Sequence, residues 1–284
     1  KKTLQSLTRD RHHLRSAWLR VAERGWTTEM AKAMRSLFLF YDMSSRVAEG
    51  GEAFGLAVRY LTRGPAGAKR GAASLPERRL LALSRVAQAW FIRWEDPDRC
   101  HRLMRQGQEC LSRVGRPDER AFAEIFATIV DTASASVDSV LREGASHCEK
   151  AGDLWCAGLC WEILALRLSP TNPAEGFRAI HRSLALRRRS RDQWAIALGI
   201  YVWGLLLGEC GLFHGARRRF EESLALRRRL RVDPDGMSMC LEAITHVALR
   251  AGAGEDAQRY GGEALVTARR AGGRRARHHV VRLL

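Results

Sequence analysis

Apolar residues recur at three- and four-residue spacing along almost the whole chain, in segments of about 15 to 20 residues. That period and length belong to amphipathic helices. Alternating apolar and polar runs are absent, and Val, Ile and Thr are not concentrated in any stretch, so strands are not predicted. Turn signals separate the segments at Gly64-Pro65-Ala66-Gly67, Asp96-Pro97-Asp98, Gly115-Arg116-Pro117-Asp118, Ser169-Pro170-Thr171-Asn172-Pro173, Asp233-Pro234-Asp235-Gly236 and Gly252-Ala253-Gly254. Asp118, Asn172 and Asp235 each precede a helical pattern and are predicted to cap it by accepting its first amide hydrogens. The pattern predicts an all-α protein of about twelve helices. Its longest uncharged run, Gln193 to Gly208, is sixteen residues long and holds three glycines. A membrane span needs about 20 apolar residues, so the run predicts a buried helix and no membrane partner.

The helices repeat. Ser183-Leu184-Ala185-Leu186-Arg187-Arg188-Arg189 recurs as Ser223-Leu224-Ala225-Leu226-Arg227-Arg228-Arg229, a shift of 40. Asp153-Leu154-Trp155 recurs loosely as Asp192-Gln193-Trp194, a shift of 39, and Asp192 maps to Asp233 at a shift of 41. A unit of two helices stacked on like units is the signature of a helical-repeat array.

Gly204, Gly211, Phe213, Ala216, Phe220 and Ser223 follow the intervals of small, Gly, aromatic, Ala, aromatic and Ala in a tetratricopeptide (TPR) repeat, which this unit resembles. Small residues at 204 and 216 permit close approach of the two helices of one hairpin, Gly211 serves the turn, and Phe213 and Phe220 fill the groove to the next hairpin. The following unit keeps Gly252, Ala257 and Ala264 but has Gly254 and Gly261 where aromatics are expected. The longer unit, with Glu-Glu-Ser-Leu-Ala-Leu-Arg-Arg-Arg over 221–229, resembles the TPR arrays of bacterial STAND-type signalling ATPases and transcriptional regulators. Asp10-Arg11-His12-His13-Leu14-Arg15-Ser16-Ala17-Trp18 and Glu23-Arg24-Gly25 are similar to the helix that joins the ATPase and winged-helix part of those proteins to the array; Leu37 to Asp42 and Ala48-Glu49-Gly50 fit the hairpin after it.

The resemblance implies a right-handed α-solenoid of TPR-like hairpins. The expected organisation is a helical adapter over 1–63, a flexible loop over 64–74 and a repeat array over 75–284, with hairpins starting near 77, 118, 153, 192 and 235. Lys1 in place of Met, and a helix begun but not finished after 274, give the expectation of a piece of a longer protein.

Composition sharpens this picture. At 284 residues and 46% hydrophobic the chain buries a core without staples and is not disordered. Seven cysteines, an odd number with no framework spacing, point to a reducing, cytoplasmic compartment. Lys1-Lys2 lead into a mixed polar stretch with no apolar run, so no signal peptide is expected there. The net charge is +17, and 43 of the 48 cationic side chains are Arg, which makes a surface attractive to anions.

Catalytic signatures are absent. Gly64 to Ser74 has the composition of a phosphate loop but not its spacing, and no strand precedes it. Cys156 and Cys160, a turn apart, with His147-Cys148 upstream, have ligand types suited to zinc, but lie beside Ala157 and Leu159 as buried core thiols do. His12-His13 and His278-His279 are adjacent pairs and read as surface residues. Glu221-Glu222 sit among arginines that they neutralise at helical spacing. The chain is therefore read as a non-catalytic module without cofactor or metal.

TPR-like arrays bind ligands along the first helix of each hairpin. The resemblance thus implies a concave site of Leu159, Glu162 and Leu166, then Leu198, Tyr201 and Leu205, then Met239, Glu242 and His246. The expected occupant is a protein, a peptide or a small effector, and the expected partner in the same chain is an upstream ATPase domain. The alternative is a nucleic-acid-binding solenoid that uses the Arg runs of the second helices, with Arg187, Arg188, Arg227 and Arg228 as anion-binding residues on the outer face.

Overall fold

The computed structural model of the chain describes residues 10–63, 73–230 and 233–271. These residues form thirteen helices, against about twelve expected, and no strand. No described helix is long and apolar enough to cross a membrane. The chain is an all-α helical-repeat protein that divides into two compact units, 1–135 and 136–284. The phosphate-loop-like segment over 64–72, Arg231 and His278-His279 lie outside the described residues.

The first unit holds α1 (Arg11–Glu23), α2 (Thr27–Met43), α3 (Val47–Arg63), α4 (Leu75–Ile92), α5 (Pro97–Val114) and α6 (Pro117–Ile129). Aromatic rings from four of them meet at its centre. Phe38 of α2 lies 5.2 Å from Phe91 of α4 and 5.3 and 5.0 Å from Phe122 and Phe126 of α6, while Phe54 of α3 stacks on Phe91 at 5.9 Å. α3 reaches α4 because Gly50 has no side chain: a Cβ there would lie 2.8 Å from the Phe91 ring. Two Trp indoles find partners, Trp18 at the Ala53 carbonyl and Trp90 at the Asp42 carboxylate, each at 2.9 Å. His12 and His13 are exposed on α1, as expected.

The second unit holds α7 (Val137–Ala151), α8 (Leu154–Leu168), α9 (Pro173–Ser190), α10 (Gln193–Glu209), α11 (Phe213–Leu230), α12 (Pro234–Arg250) and α13 (Gly254–Ala271). Its closest pairings are α8 with α9, α10 with α11 and α12 with α13, the hairpins expected near 153, 192 and 235. First helices also meet, α8 with α10 and α10 with α12. The uncharged run is α10, buried along much of its length.

Helix ends correct two of the three expected caps. Asn172 does cap α9, accepting from the Glu175 amide at 3.2 Å. Asp118 instead lies inside the first turn of α6, where Pro117 starts the helix one residue earlier. Asp235 likewise lies in the first turn of α12, and Asp233 is the cap, accepting from the Gly236 amide at 2.9 Å. In both places the proline at the first helical position sets the start. Asp96, Asp153 and Asp192 cap α5, α8 and α10, and Ser74 forms a reciprocal capping box with Glu77 at the start of α4.

The TPR-like positions behave as their intervals require. Gly211 turns the chain at φ +74. At Gly204 a Cβ would stand 2.5 Å from Phe220 Cε1, so α10 and α11 close directly onto the ring. Phe220 is buried with Ala216, Leu241 and Ile244, and Phe213 packs on the same cluster. Where Gly261 replaces the expected aromatic, Tyr260 packs on that cluster and donates to Glu221 at 3.0 Å.

Gly204→Ala is expected to lower stability by about 1–3 kcal/mol through overpacking. Phe220→Leu is expected to cost less in the Gly204→Ala background than alone, because the smaller side chain frees the space that the new methyl needs. Urea unfolding of the two single variants and the double variant checks this.

Candidate functional site

The first helices α10 and α12 flank a cavity of about 660 Å³. Tyr201, Leu205, Gly208 and Glu209 come from α10, and Met239, Glu242, Ala243, His246, Val247 and Arg250 from α12. Phe213 and Phe220 of α11 complete the lining. Tyr201 leans on Phe220 with ring centroids 5.5 Å apart, and the Arg250 guanidinium lies 5.4 Å from the centre of the Phe213 ring. Glu242 is one-tenth exposed at the side chain, and its carboxylate is 3.9 Å from His246 Nε2, which is half exposed. The walls are thus largely apolar with a few polar groups, the usual make-up of a binding cleft.

Five of the nine residues expected on the concave face line this cavity: Tyr201, Leu205, Met239, Glu242 and His246. The other four do not. Leu159 is buried, Leu166 packs on the core between α9 and α10, and Leu198 is half-buried outside the lining. Glu162 is 1% exposed and engaged in the core. Gly208 and Arg250 were not foreseen, although each continues its helical stripe by one more turn, Gly208 after Leu205 and Arg250 after His246.

Glu162 is withdrawn because Arg187 of α9 meets it. Arg187 is fully buried and donates from Nε and Nη2 to the two Glu162 oxygens at 3.1 and 3.0 Å. Its Nη1 donates to the Trp155 carbonyl at 3.0 Å, and Ser183 donates to Glu162 Oε1 at 2.9 Å. A Cβ on Gly158 would lie 2.7 Å from Arg187 Nε, so that glycine leaves room for the guanidinium. In the next repeat Ser223 and Arg227 occupy the same sequence positions and are buried too. Tyr201 replaces the carboxylate there, and Arg227 turns to Asp233, whose Oδ2 also accepts from Trp194 Nε1 at 2.8 Å. Ser223 donates to the Ala197 carbonyl at 2.7 Å. Burial pushes the neighbouring Cys240 thiol up, and the thiol lies 3.4 Å from Ser223 Oγ as its donor.

Arg187 and Arg227 are therefore not part of an outer anion-binding face; the Arg runs place one guanidinium of each inside. Arg188 and Arg228 are exposed, and Arg228 pairs with Glu263. Arg217 pairs with Glu221 at 2.9 Å and Asp256 at 2.5 Å, and Arg219 with Glu222 at 2.7 Å, so the acidic pair neutralises arginines as expected. The hydrogen bonds to Glu221 and Asp256 hold Arg217 more firmly protonated than an ordinary arginine. Cys156 and Cys160 are both buried in α8.

Glu162→Gln is expected to cost about 3–5 kcal/mol, because it leaves the Arg187 charge buried opposite a neutral amide. Replacing the pair together, by Glu162→Leu with Arg187→Met, is expected to cost less than either single change. Urea unfolding of wild type, Glu162→Gln, Glu162→Leu, Arg187→Met and the double variant checks both statements, and Arg228→Ala, which breaks only an exposed pair, is expected to shift stability by no more than about 1 kcal/mol.

No family model matches the chain, and no curated protein matches it. Among solved structures the chain is similar to the crystal structure of a Rap protein complexed with Competence and Sporulation Factor. The likeness covers 90% of this chain and 80% of that one, with a TM-score of 0.60 and 11% sequence identity. At that identity the shared property is the TPR-like helical-repeat fold.

Proposed function

We propose that the chain is a non-catalytic interaction module that takes a peptide segment of a partner in the groove between α10 and α12. The observation that carries this reading is the convergence of Tyr201, Leu205, Met239, Glu242 and His246 on one cavity of first-helix residues. The fold shared with a Rap protein complexed with Competence and Sporulation Factor supports it. The aromatic floor of Phe213 and Phe220 suits an apolar side chain, and Glu209 and Glu242 suit a basic one. In its fuller form the module is the sensor or scaffold arm of a STAND-type signalling ATPase or transcriptional regulator, with 1–63 as its adapter. Occupancy of the groove then biases the upstream domain through its differential affinity for resting and active states. The coding sequence ahead of Lys1 tests that context: a Walker-type loop and a winged helix support it, and a start codon just ahead of Lys1 overturns it.

The groove is tested with a peptide selected on the chain from a random displayed library. Its Kd is measured against wild type, Tyr201→Ala, Glu242→Gln and Arg228→Glu. Tyr201→Ala is expected to weaken binding by about tenfold or more, a loss of about 1.4 kcal/mol, and Arg228→Glu to leave it nearly unchanged. Selected peptides that bind Tyr201→Ala as tightly as wild type overturn the reading. The alternative, a nucleic-acid surface, draws on the exposed Arg188, Arg189, Arg228 and Arg229. It requires oligonucleotide affinity that falls steeply with salt and is lost in Arg228→Glu.

A further inference from the structure

The turn between α7 and α8 brings together three side chains that the groove does not use. Cys148 on the last turn of α7, Asp153 at the cap of α8 and Cys156 on the first turn of α8 have ligand atoms that all lie within 4.8 Å of one another. Both cysteines are nine-tenths or more buried, at 1% and 0% exposure, and Asp153 is half-buried. Gly152 at φ +77 makes the reversal tight, and the Asp153 amide donates to the Cys148 carbonyl at 2.8 Å, so the backbone itself sets the spacing. Asp153 Oδ1 accepts from the Cys156 amide at 3.0 Å, which fixes the carboxylate beside the two sulfurs. Among the described residues this is the one convergence of three such ligands. Cys160, one turn further along α8, is not part of it.

We propose that Cys148, Asp153 and Cys156 form a zinc-binding site that staples the α7–α8 turn. The chemistry selects the metal. Two sulfurs and one carboxylate oxygen form a mixed donor set that suits borderline-soft Zn²⁺ better than Mg²⁺ or Ca²⁺, which favour all-oxygen sites. Three protein ligands leave a fourth tetrahedral position for water on the half-buried Asp153 side. Each Zn²⁺ displaces the protons of two thiols and meets a carboxylate, so two protons leave per ion and a net charge of −1 remains. The amide dipoles at the start of α8 face that charge. The sequence spacing Cys-x4-Asp-x2-Cys carries the signal; the more conspicuous Cys156/Cys160 pair does not.

The test uses the full 284-residue chain, reduced and stripped of metal, titrated with Zn²⁺ and with Cd²⁺ as its spectroscopic substitute. The expected result is one Cd²⁺ per chain with thiolate-to-metal charge-transfer absorption, a rise in Tm with Zn²⁺, and release of two protons per ion. Cys148→Ser and Cys156→Ser are expected to weaken binding by more than about 100-fold, beyond the loss that an outer-shell substitution brings. Asp153→Asn keeps the cap acceptor and hence the fold, and is expected to weaken binding without lowering the Tm of the metal-free chain. Cys160→Ser is expected to bind as wild type does. Absence of stoichiometric binding by the wild-type chain overturns the proposal, as does binding that survives in Cys148→Ser and Cys156→Ser.

Discussion

A guanidinium withdrawn from water must be met by a carboxylate and by enough acceptors to satisfy its donors. Arg187 is such a group, and the hairpin α8–α9 is arranged around it. Glu162 faces it from the first helix, the Trp155 carbonyl takes a third hydrogen bond, Ser183 secures the carboxylate, and Gly158 clears the space. Each of these residues is explained by the one charge. An apolar pair of similar volume would pack there too, but any helix rotation or slide that parted the partners would leave a bare charge in the core. The pair therefore selects one alignment of the two helices more strongly than it stabilises the fold.

The same constraint decides where the groove opens. Positions 162, 201 and 242 are equivalent in successive repeats. At 162 the carboxylate is drawn inward by Arg187. At 201 a tyrosine stands in its place, and Arg227 turns instead to Asp233 at the head of the next helix, which ties α11, through the shared carboxylate, to Trp194 of α10. At 242 a glutamate returns, but Ala268 occupies the position corresponding to Arg187 and Arg227, so that arginine is missing and Glu242 remains in the cavity wall. One register position thus serves the core in one hairpin and the groove in the next two. At 201 the first-helix residue itself has changed, and at 242 the second helix has lost its arginine.

The helices, and the pairing of those from 153 onward, were legible because they rest on local rules. A 3.6-residue period, prolines at helix starts and glycines at turns act within a few residues, and a shift of about 40 repeated in two different helices is visible by inspection. Even here the cap positions are Arg116 and Asp233, two residues ahead of Asp118 and Asp235, because Pro117 and Pro234 begin the helices earlier than the apolar pattern does. The spacing Cys-x4-Asp-x2-Cys is present in the sequence, but a helical Cys pair lies beside it, and only the packed turn brings Cys148, Asp153 and Cys156 together.

What the sequence determined by itself was therefore the all-α class, the two-helix unit, the crossing at Gly204 and the turn at Gly211, all set by steric and hydrogen-bonding rules that operate within one hairpin. What only the tertiary structure decided was the direction of each charged side chain. Arg187 and Arg188 are neighbours in the same run, yet one is fully buried and the other exposed. Nothing in a run of arginines states which of them meets a carboxylate twenty-five residues away; that depends on the angle at which α9 lies on α8, and only the packed hairpin fixes that angle.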